Sequence, residues 1–470
     1  MIFMTEVAGQ RPPENLIEPA TSPNETETSN HIPAELIALG EKIFGEGVIT
    51  QLLTGVNSIL EKATNLDDRY KLDLKNRIYR MIKQFLEVIK ACLANEESPE
   101  NKGYLESEVI PTIEQSFVAV AKLMDLPEPY KNLGTKFNGD RLKVVRDFFN
   151  LTGCSDINDQ TLLIALYLLN QVKRWRVNAK DYAKSLLKIN FEETDLMHVI
   201  KIMILAKFLC LEFDLDQENL IILAKLIILH DLPEVVIGDF SQGENYGDKE
   251  TFDKIRKLFK EIEAKVPEIL LGSLRSQEPW KGLLALYQGY EDRLKPKDGE
   301  YTELDRVYRI LRILDKLDSL VSVMAMAVLD INDPNDLNQY YKQGYSNYLI
   351  AAIQSFLLTV EQYAQLLQLM PQFSDENVLT THLKNLIRKI FEFLNQQYNT
   401  QLTRADRNSS DPKRNRITII NWFKVASEKA DQISNELPIT SQIITEVIQE
   451  VIQELNPEDP FDKVISWFGG

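Results

Sequence analysis

The sequence contains an adjacent histidine and aspartate, His230-Asp231, directly after a strongly apolar segment. Residues 219–229 are apolar nearly all round, which indicates a buried helix. A buried imidazole beside a buried carboxylate costs several kcal/mol unless a partner satisfies both groups. Because a divalent metal ion would satisfy both, the pair predicts a metal site.

A metal site needs further ligands, and two other apolar segments offer them. His198 lies in residues 195–209, which have the pattern of a second core helix. Asp315 lies in residues 304–322, where a spacing of three and four predicts one inward stripe that also contains Asp318. Three cations are predicted to project toward other faces of that helix: Arg306, Arg309 and Lys316.

The elements that must position these residues are helices. Long segments show helical periodicity, strand-like alternation is scarce, and the 470 residues are 44% hydrophobic, which predicts an all-α protein with a large core. The net charge of −17 argues against a nucleic-acid partner, since phosphate binding draws on a basic surface. The N-terminus lacks a signal sequence, and no apolar run approaches the ~20 residues of a membrane span, so we expect a soluble, cytoplasmic protein without a membrane partner.

The chain divides at polar and proline-rich breaks. A single helix is predicted over residues 35–63. The predicted units are a disordered leader at 1–33, an N-terminal helical segment at 34–130, the metal-site region at 137–330, a helical extension at 340–400, a linker at 401–416 and a C-terminal helical segment at 417–470.

The order of His198, His230-Asp231 and Asp315 resembles the H…HD…D pattern of the HD-domain metal-dependent phosphohydrolase superfamily. The run H-D-x-x-E-x-x-x-G-D is most similar to the branch that contains 5′-deoxynucleotidases. The resemblance covers roughly residues 165–330 and implies an HD-type helical core in the predicted unit 137–330. The additional N- and C-terminal helical segments are predicted from the helical pattern alone.

The chain departs from the family pattern around the first histidine. Family members commonly carry Glu before it and a small hydroxyl residue after it, whereas this chain has Met197 and Val199. Ligating histidines usually donate their second ring nitrogen to a carboxylate or carbonyl. Asp195 or a backbone carbonyl is the candidate orienting partner of His198.

Carried over to this chain, the resemblance implies one divalent ion held by His198, His230, Asp231 and Asp315. Mixed imidazole and carboxylate ligands suit several metals, so cobalt, manganese, magnesium and nickel all remain candidates. Glu234 would position or deprotonate the attacking water, and Asp239 would orient water or protonate the leaving group.

A phosphate group also needs a cation, and residues 173–176 offer three beside a tryptophan. The related nucleotidases carry an Arg next to a Trp that reaches the phosphate, which makes Arg174, with Trp175, the first candidate. Lys249 is the second candidate. Residues 173–176 also fit a solvated basic turn in which Trp175 only packs.

Structural roles remain open for several of these carboxylates. Asp231 also suits a helix cap before Pro233. Glu234 and Asp239 also suit solvated loop positions, and Asp318 suits a residue that supports the ligands or lies on the surface.

The chain has only four histidines, at positions 31, 198, 230 and 382. Two-metal members of the resembled superfamily use further histidines between the HD pair and the last Asp, so a single-metal enzyme fits better. The predicted function is release of phosphate from a nucleoside monophosphate or similar small phosphomonoester. The alternatives are a nucleoside triphosphate hydrolase of the same superfamily and a non-catalytic nucleotide sensor. Nucleotidases of this kind often dimerise, so a homodimer is among the assemblies that the resemblance allows.

Overall fold

The structure is a computed structural model of the chain. The residues that it describes are 31–64, 66–94, 108–124, 166–170, 172, 193–238, 249–274, 283–293, 301–330, 345–404, 419, 422–423, 426, 439, 442–443, 445–447 and 449–450.

The prediction of an all-α fold is confirmed, and no β-strand occurs among the described residues. A short 3₁₀ helix, Pro371–Phe373, follows the eleventh α-helix. The α-helices are α1 (Ala34–Phe44), α2 (Val48–Lys62), α3 (Asp68–Ala94), α4 (Ile110–Leu123), α5 (Asp195–Phe208), α6 (Gln217–Leu229), α7 (Glu234–Ile237), α8 (Lys249–Leu274), α9 (Leu283–Arg293), α10 (Glu303–Asp330), α11 (Tyr345–Gln368) and α12 (Glu376–Arg404).

The prediction of one helix over residues 35–63 is wrong, because α1 ends at Phe44 and α2 begins at Val48. Gly45 and Gly47 between them have φ values of 110° and 80°. Side chains other than glycine rarely adopt such angles, and a helix cannot continue through them. The break therefore follows from the two glycines, although the apolar pattern continues across it.

Helices α5 and α6 form an antiparallel pair at the centre of the fold. The Thr194 hydroxyl caps α5 by accepting from the Met197 N–H at 3.4 Å, and the Asp216 carboxylate caps α6 by accepting from the Asn219 N–H at 2.8 Å. Every residue of α5 from Asp195 to Ala206 is buried. A helix buried on all faces must be enclosed by other helices, and here α4, α6 and α10 pack against it.

Helix α10 packs against α5, α6, α11 and α12. Its N-terminus is fixed by Thr302, whose N–H and hydroxyl donate to Asp305 Oδ2 at 2.7 and 2.6 Å. One turn in, the buried Arg306 donates to the carbonyls of Phe213 and Asp214 in the α5–α6 connection at 2.5 and 3.0 Å. These bonds tie α10 to the end of the α5–α6 pair that is remote from His198.

The N-terminal helices pack against the elements that follow His230. Helix α3 contacts α7 and helix α2 contacts α8. The guanidinium of Arg77 on α3 lies 5.3 Å from the ring centroid of Phe259 on α8. The N-terminal helical segment is thus part of the support for the residues around Asp231.

The boundaries that the sequence predicts between units of the chain remain predictions. Helix α12 continues to Arg404, four residues into the predicted linker at 401–416. The side chains of Ile443 and Val447, in the predicted C-terminal segment, are buried. In the part of the chain that the structure describes, no helix is both long enough and apolar enough to span a membrane.

Candidate metal centre

The structure brings together the four residues predicted as metal ligands. His198 lies in the first turn of α5, His230 directly after α6, Asp231 next to it, and Asp315 in the middle of α10. His198 Nε2 is 3.3 Å from His230 Nε2 and 3.5 Å from one carboxylate oxygen each of Asp231 and Asp315. His230 Nε2 is 3.3 Å from the other oxygen of Asp231. Ligand atoms of His198, His230 and Asp315 thus lie within 4.8 Å of one another, and Asp231 contacts both histidines.

These distances fit a bound metal ion. Ligand atoms at about 2.1 Å from a metal lie about 3.0 Å apart at right angles and about 3.4 Å apart at the tetrahedral angle. The observed separations of 3.3 to 3.5 Å correspond to the second value. Both histidines and both aspartates are also largely withheld from water, with side-chain exposures of 0, 6, 10 and 10% for His198, His230, Asp231 and Asp315.

The ring of His230 is oriented by the backbone. Its Nδ1 lies 2.7 Å from the carbonyl oxygen of Ile227. Since a carbonyl only accepts, Nδ1 carries the proton, and the lone pair of the neutral ring is on Nε2. Burial lowers the pKa of His230, which favours this neutral form. The nitrogen available to a metal is therefore the one that faces His198.

The ring of His198 is oriented by Asp318. Its Nδ1 donates to Asp318 Oδ2 at 2.7 Å. Asp318, which is 1% exposed, thus fills the place for which the sequence suggested Asp195 or a backbone carbonyl. With both Nδ1 atoms protonated, two nitrogen lone pairs face each other across 3.3 Å. They repel unless a cation or a proton lies between them, which is a second indication that the site suits a metal.

Two cations of α10 lie beside Asp315. Lys316 Nζ lies 2.9 Å from Asp315 Oδ2, and Arg312 Nη1 lies 3.5 Å from the same oxygen. Burial acts to raise the pKa of Asp315, but Lys316, His198 and Arg312 outweigh it and hold the pKa well below its usual range. The sequence pattern assigns Lys316 to another face of α10 and does not predict that its side chain reaches back to Asp315.

A second group of charged residues lies on the far side of His198. Lys201 Nζ is 2.7 Å from Glu193 Oε1, 2.8 Å from Asp318 Oδ1 and 3.1 Å from the Ser322 hydroxyl. Glu193, His198 and Asp318 have the spacing of a metal-binding trio. Lys201 already supplies the positive charge there, so the trio does not form a second ion site of the same kind.

The remaining predicted residues are only partly described. Glu234 begins α7, and its backbone N–H donates to the Asp231 carbonyl at 3.0 Å, so it lies one turn after a predicted ligand. Lys249 is the first residue of α8, and only its backbone is described. Three predicted residues lie outside the described residues: Arg174, Trp175 and Asp239.

From the sequence, Asp318 is predicted on the inward stripe and allowed a supporting role, but Lys201 is given no role. Lys201 lies three residues after His198, and Asp318 and Ser322 lie three and seven after Asp315. On helices these offsets share a face with the ligands. A polar residue on the ligand face of an otherwise apolar helix is therefore a candidate for orienting that ligand.

Residues 183–324 match the family model described as the HD domain. No curated protein sequence and no solved structure matches the chain. The matched range contains every residue of the centre, from His198 to Asp315. The chain thus carries, over residues 183–324, an HD domain of the metal-dependent phosphohydrolase superfamily.

Proposed function

We propose that the protein is a metal-dependent phosphomonoesterase that removes phosphate from a nucleoside monophosphate or a similar small ester. The observation that carries this proposal is that His198 Nε2 lies 3.3 Å from His230 Nε2 and 3.5 Å from a carboxylate oxygen of both Asp231 and Asp315. His198, His230, Asp231 and Asp315 would hold the ion. In such a site a divalent metal lowers the pKa of bound water and polarises a phosphoryl oxygen.

Glu234 is the proposed general base. It lies one turn after Asp231, and a carboxylate in that place can hold a water by one oxygen and take its proton as the water attacks phosphorus. Asp239 is proposed to orient the water or to protonate the leaving group. Both roles rest on the resemblance of the H-D-x-x-E-x-x-x-G-D run rather than on a measured contact.

Binding of the phosphate is proposed to involve cations at the mouth of the site. Arg312 and Lys316 are 38% and 28% exposed and already lie beside Asp315. A substrate phosphate that approached the metal from solvent would meet these groups, and a guanidinium suits bidentate contact. Arg174, with Trp175 beside it, and Lys249 remain proposed phosphate contacts. The net charge of −17 makes such local cations necessary for any anionic substrate and favours a small molecule over a nucleic acid.

A single-metal reaction is favoured by the surroundings of His198. The neighbouring group of possible ligands is Glu193, His198 and Asp318. The ammonium group of Lys201 already contacts both carboxylates of that group and takes the place that a second ion would need. The interval between Asp231 and Asp315 contains no further histidine. One ion with open positions for water and phosphate suits a monoesterase.

A nucleoside triphosphate hydrolase is the second candidate, and one observation favours it. Such an enzyme needs more positive charge around the pocket, and Arg312 and Lys316 add two cations that the sequence did not assign to it. A non-catalytic nucleotide sensor would use the same groups for binding only.

The test is phosphate release by the full chain from nucleoside mono- and triphosphates. Chelated protein is resupplied separately with cobalt, manganese, magnesium or nickel. We expect metal-dependent release from monophosphates that is lost in Asp231→Ala and Glu234→Gln. Glu218→Gln, at an exposed position on α6, is the matched control and should keep the wild-type rate.

Preferential turnover of triphosphates would replace the proposal by the second candidate. If the protein binds metal and nucleotide but releases no phosphate with any combination of the two, catalysis is refuted and the non-catalytic nucleotide sensor is supported. Release that persists in both Asp231→Ala and Glu234→Gln would show that the activity does not come from this centre.

A further inference from the structure

We propose that Lys201 is a positioning residue of the metal centre, whose ammonium group fixes Asp318 so that Asp318 can aim the ring of His198 at the ion. This inference rests on the metal-binding part of the proposed function and not on the substrate. It assigns a role to a buried cation that touches neither the ion nor the phosphate.

The side chain of Lys201 is enclosed and fully bonded. It is 3% exposed, on α5 one turn after His198. An ammonium group has three N–H donors, and here they meet Glu193, Asp318 and Ser322 at 2.7 to 3.1 Å. Each donor therefore has a partner, and the direction of the side chain is fixed at three points.

Asp318 is held between Lys201 and His198. Lys201 Nζ lies 2.8 Å from Oδ1 and 2.9 Å from Oδ2, and Oδ2 also accepts from His198 Nδ1 at 2.7 Å. The lysine thus contacts both oxygens, which prevents the carboxylate from turning away from the imidazole. Its charge also offsets the cost of burying Asp318 at 1% exposure.

Without the ammonium group, Glu193 and Asp318 would be two carboxylates facing one small buried space. The Ser322 hydroxyl lies 3.4 Å from Glu193 Oε2. Two like charges in such a space repel, and a rotation of Asp318 away from Glu193 would relieve the repulsion. This rotation would move the carboxylate away from the His198 Nδ1 proton that it accepts.

The effect on the metal follows from the geometry of the imidazole. A bond to Nδ1 sets the plane of the ring, and the ring plane sets the direction of the Nε2 lone pair. Outer partners of ligating histidines typically contribute 10- to 100-fold to metal affinity. We therefore expect loss of the Lys201 charge to weaken metal binding although the lysine is not a ligand.

The experiment is calorimetric titration of chelated full-length protein with manganese, without substrate. Lys201→Met keeps the unbranched shape and removes the charge. We expect its dissociation constant for manganese to rise at least about tenfold. Asp318→Asn should produce a similar rise, and the double variant should bind no more weakly than the weaker single one, because both changes act through the same imidazole.

Arg306→Met is the matched control, since it removes another buried cation of the same domain. Arg306 lies at the opposite end of the α5–α6 pair, roughly 15 Å from His198 along α5. Its loss should lower stability and leave the manganese affinity within about twofold of wild type. The comparison separates positioning of the ligand from general weakening of the fold.

Wild-type manganese affinity in Lys201→Met, with or without a lower unfolding temperature, would overturn the proposal. Additive losses in the double variant would also overturn it. If Lys201→Met does not fold, Asp318→Asn and Lys201→Arg carry the test, and the proposal requires a tenfold loss in the first and near-wild-type affinity in the second. Failure of the hydrolase assay with these affinity changes intact would refute the proposed function alone.

Discussion

Replacement of Arg306 by methionine is expected to lower the free energy of unfolding by about 3 kcal/mol. Arg306 donates to the Phe213 carbonyl in a buried position, to the Asp214 carbonyl, and to Glu303 Oε2 at 2.7 Å. Loss of a partner for one buried carbonyl costs about 1–3 kcal/mol, and hydrogen bonds from a charged group contribute about 1.5–3 kcal/mol. Asp214 is an exposed residue, so its carbonyl can bond water instead. The apolar methionine recovers part of the loss, which gives the value near 3.

Asp214 strengthens this expectation because it is a non-glycine residue with φ of 51°. That conformation costs roughly 1–2 kcal/mol and persists only where surrounding contacts hold it. Arg306 supplies such a contact through the Asp214 carbonyl. Without it, the turn between α5 and α6 is free to relax, and the native state loses a clamp between that turn and α10.

The assay is urea unfolding of the chelated protein, followed by circular dichroism, for wild type, Arg306→Met and Arg306→Lys. The lysine variant keeps the charge and one donor direction, so its midpoint should fall between the other two. A loss below about 1 kcal/mol in Arg306→Met, or equal midpoints for the two variants, would refute the assignment of Arg306 as a clamp.

Three further outcomes are expected. Burial, followed by the charge of Arg306, lowers the pKa of His382 from 6.5 to about 4. The unfolded chain therefore takes up this proton first as pH falls, and up to roughly 3 kcal/mol of stability should be lost between those pH values. Urea midpoints from pH 7 to 4 should show this loss in wild type and less of it in His382→Gln, and parallel pH profiles would contradict it. Manganese added to chelated protein should raise the free energy of unfolding by about 1.4 kcal/mol per tenfold excess over the dissociation constant. Thermal unfolding at constant ionic strength measures this, and an equal rise in Asp315→Ala would exclude the proposed ligands as its source. Gly40→Ala places a Cβ 2.5 Å from Ile49 and 2.8 Å from Leu86 and should cost about 1–3 kcal/mol, whereas Gly55→Ala on α2 meets nothing within 4 Å and should stabilise by about 0.5–1 kcal/mol. The urea midpoint should therefore fall in Gly40→Ala and rise in Gly55→Ala. Midpoints that both fall or both rise relative to wild type would contradict the prediction.

The helical class and the candidate ligands were accessible from the sequence because each depends on local patterns. Apolar periodicity predicts helices, and His230-Asp231 after an apolar run predicts a buried polar pair that needs a partner. The assignment of Asp315 and Asp318 to an inward stripe agrees with their burial. The ligand roles themselves remain predictions until a metal is measured.

The supporting contacts were not accessible, because they join residues far apart in the chain. His198 and Asp318 are separated by 120 positions, and periodicity alone does not say which helix faces which. The contact of Lys316 with Asp315 was not predicted for a different reason: a long flexible side chain can reach a neighbour that its helical position does not face. The division between α1 and α2 was missed because apolar spacing outweighed the two glycines in the prediction.

The placement of His198, His230 and Asp315 on three chain segments has a consequence for folding. An ion bound by all of them would act as a reversible cross-link, and closing a loop of about 100 residues restricts an unfolded chain by roughly 4–5 kcal/mol. The restriction is felt only while the ion is bound, so its loss would lower the free energy that opposes separation of α10 from the α5–α6 pair. Amide hydrogens in these three helices should then exchange with solvent together when the metal is removed, although the helices are distant in sequence. Metal supply would in this way set the lifetime of the protein against proteolysis as well as its activity.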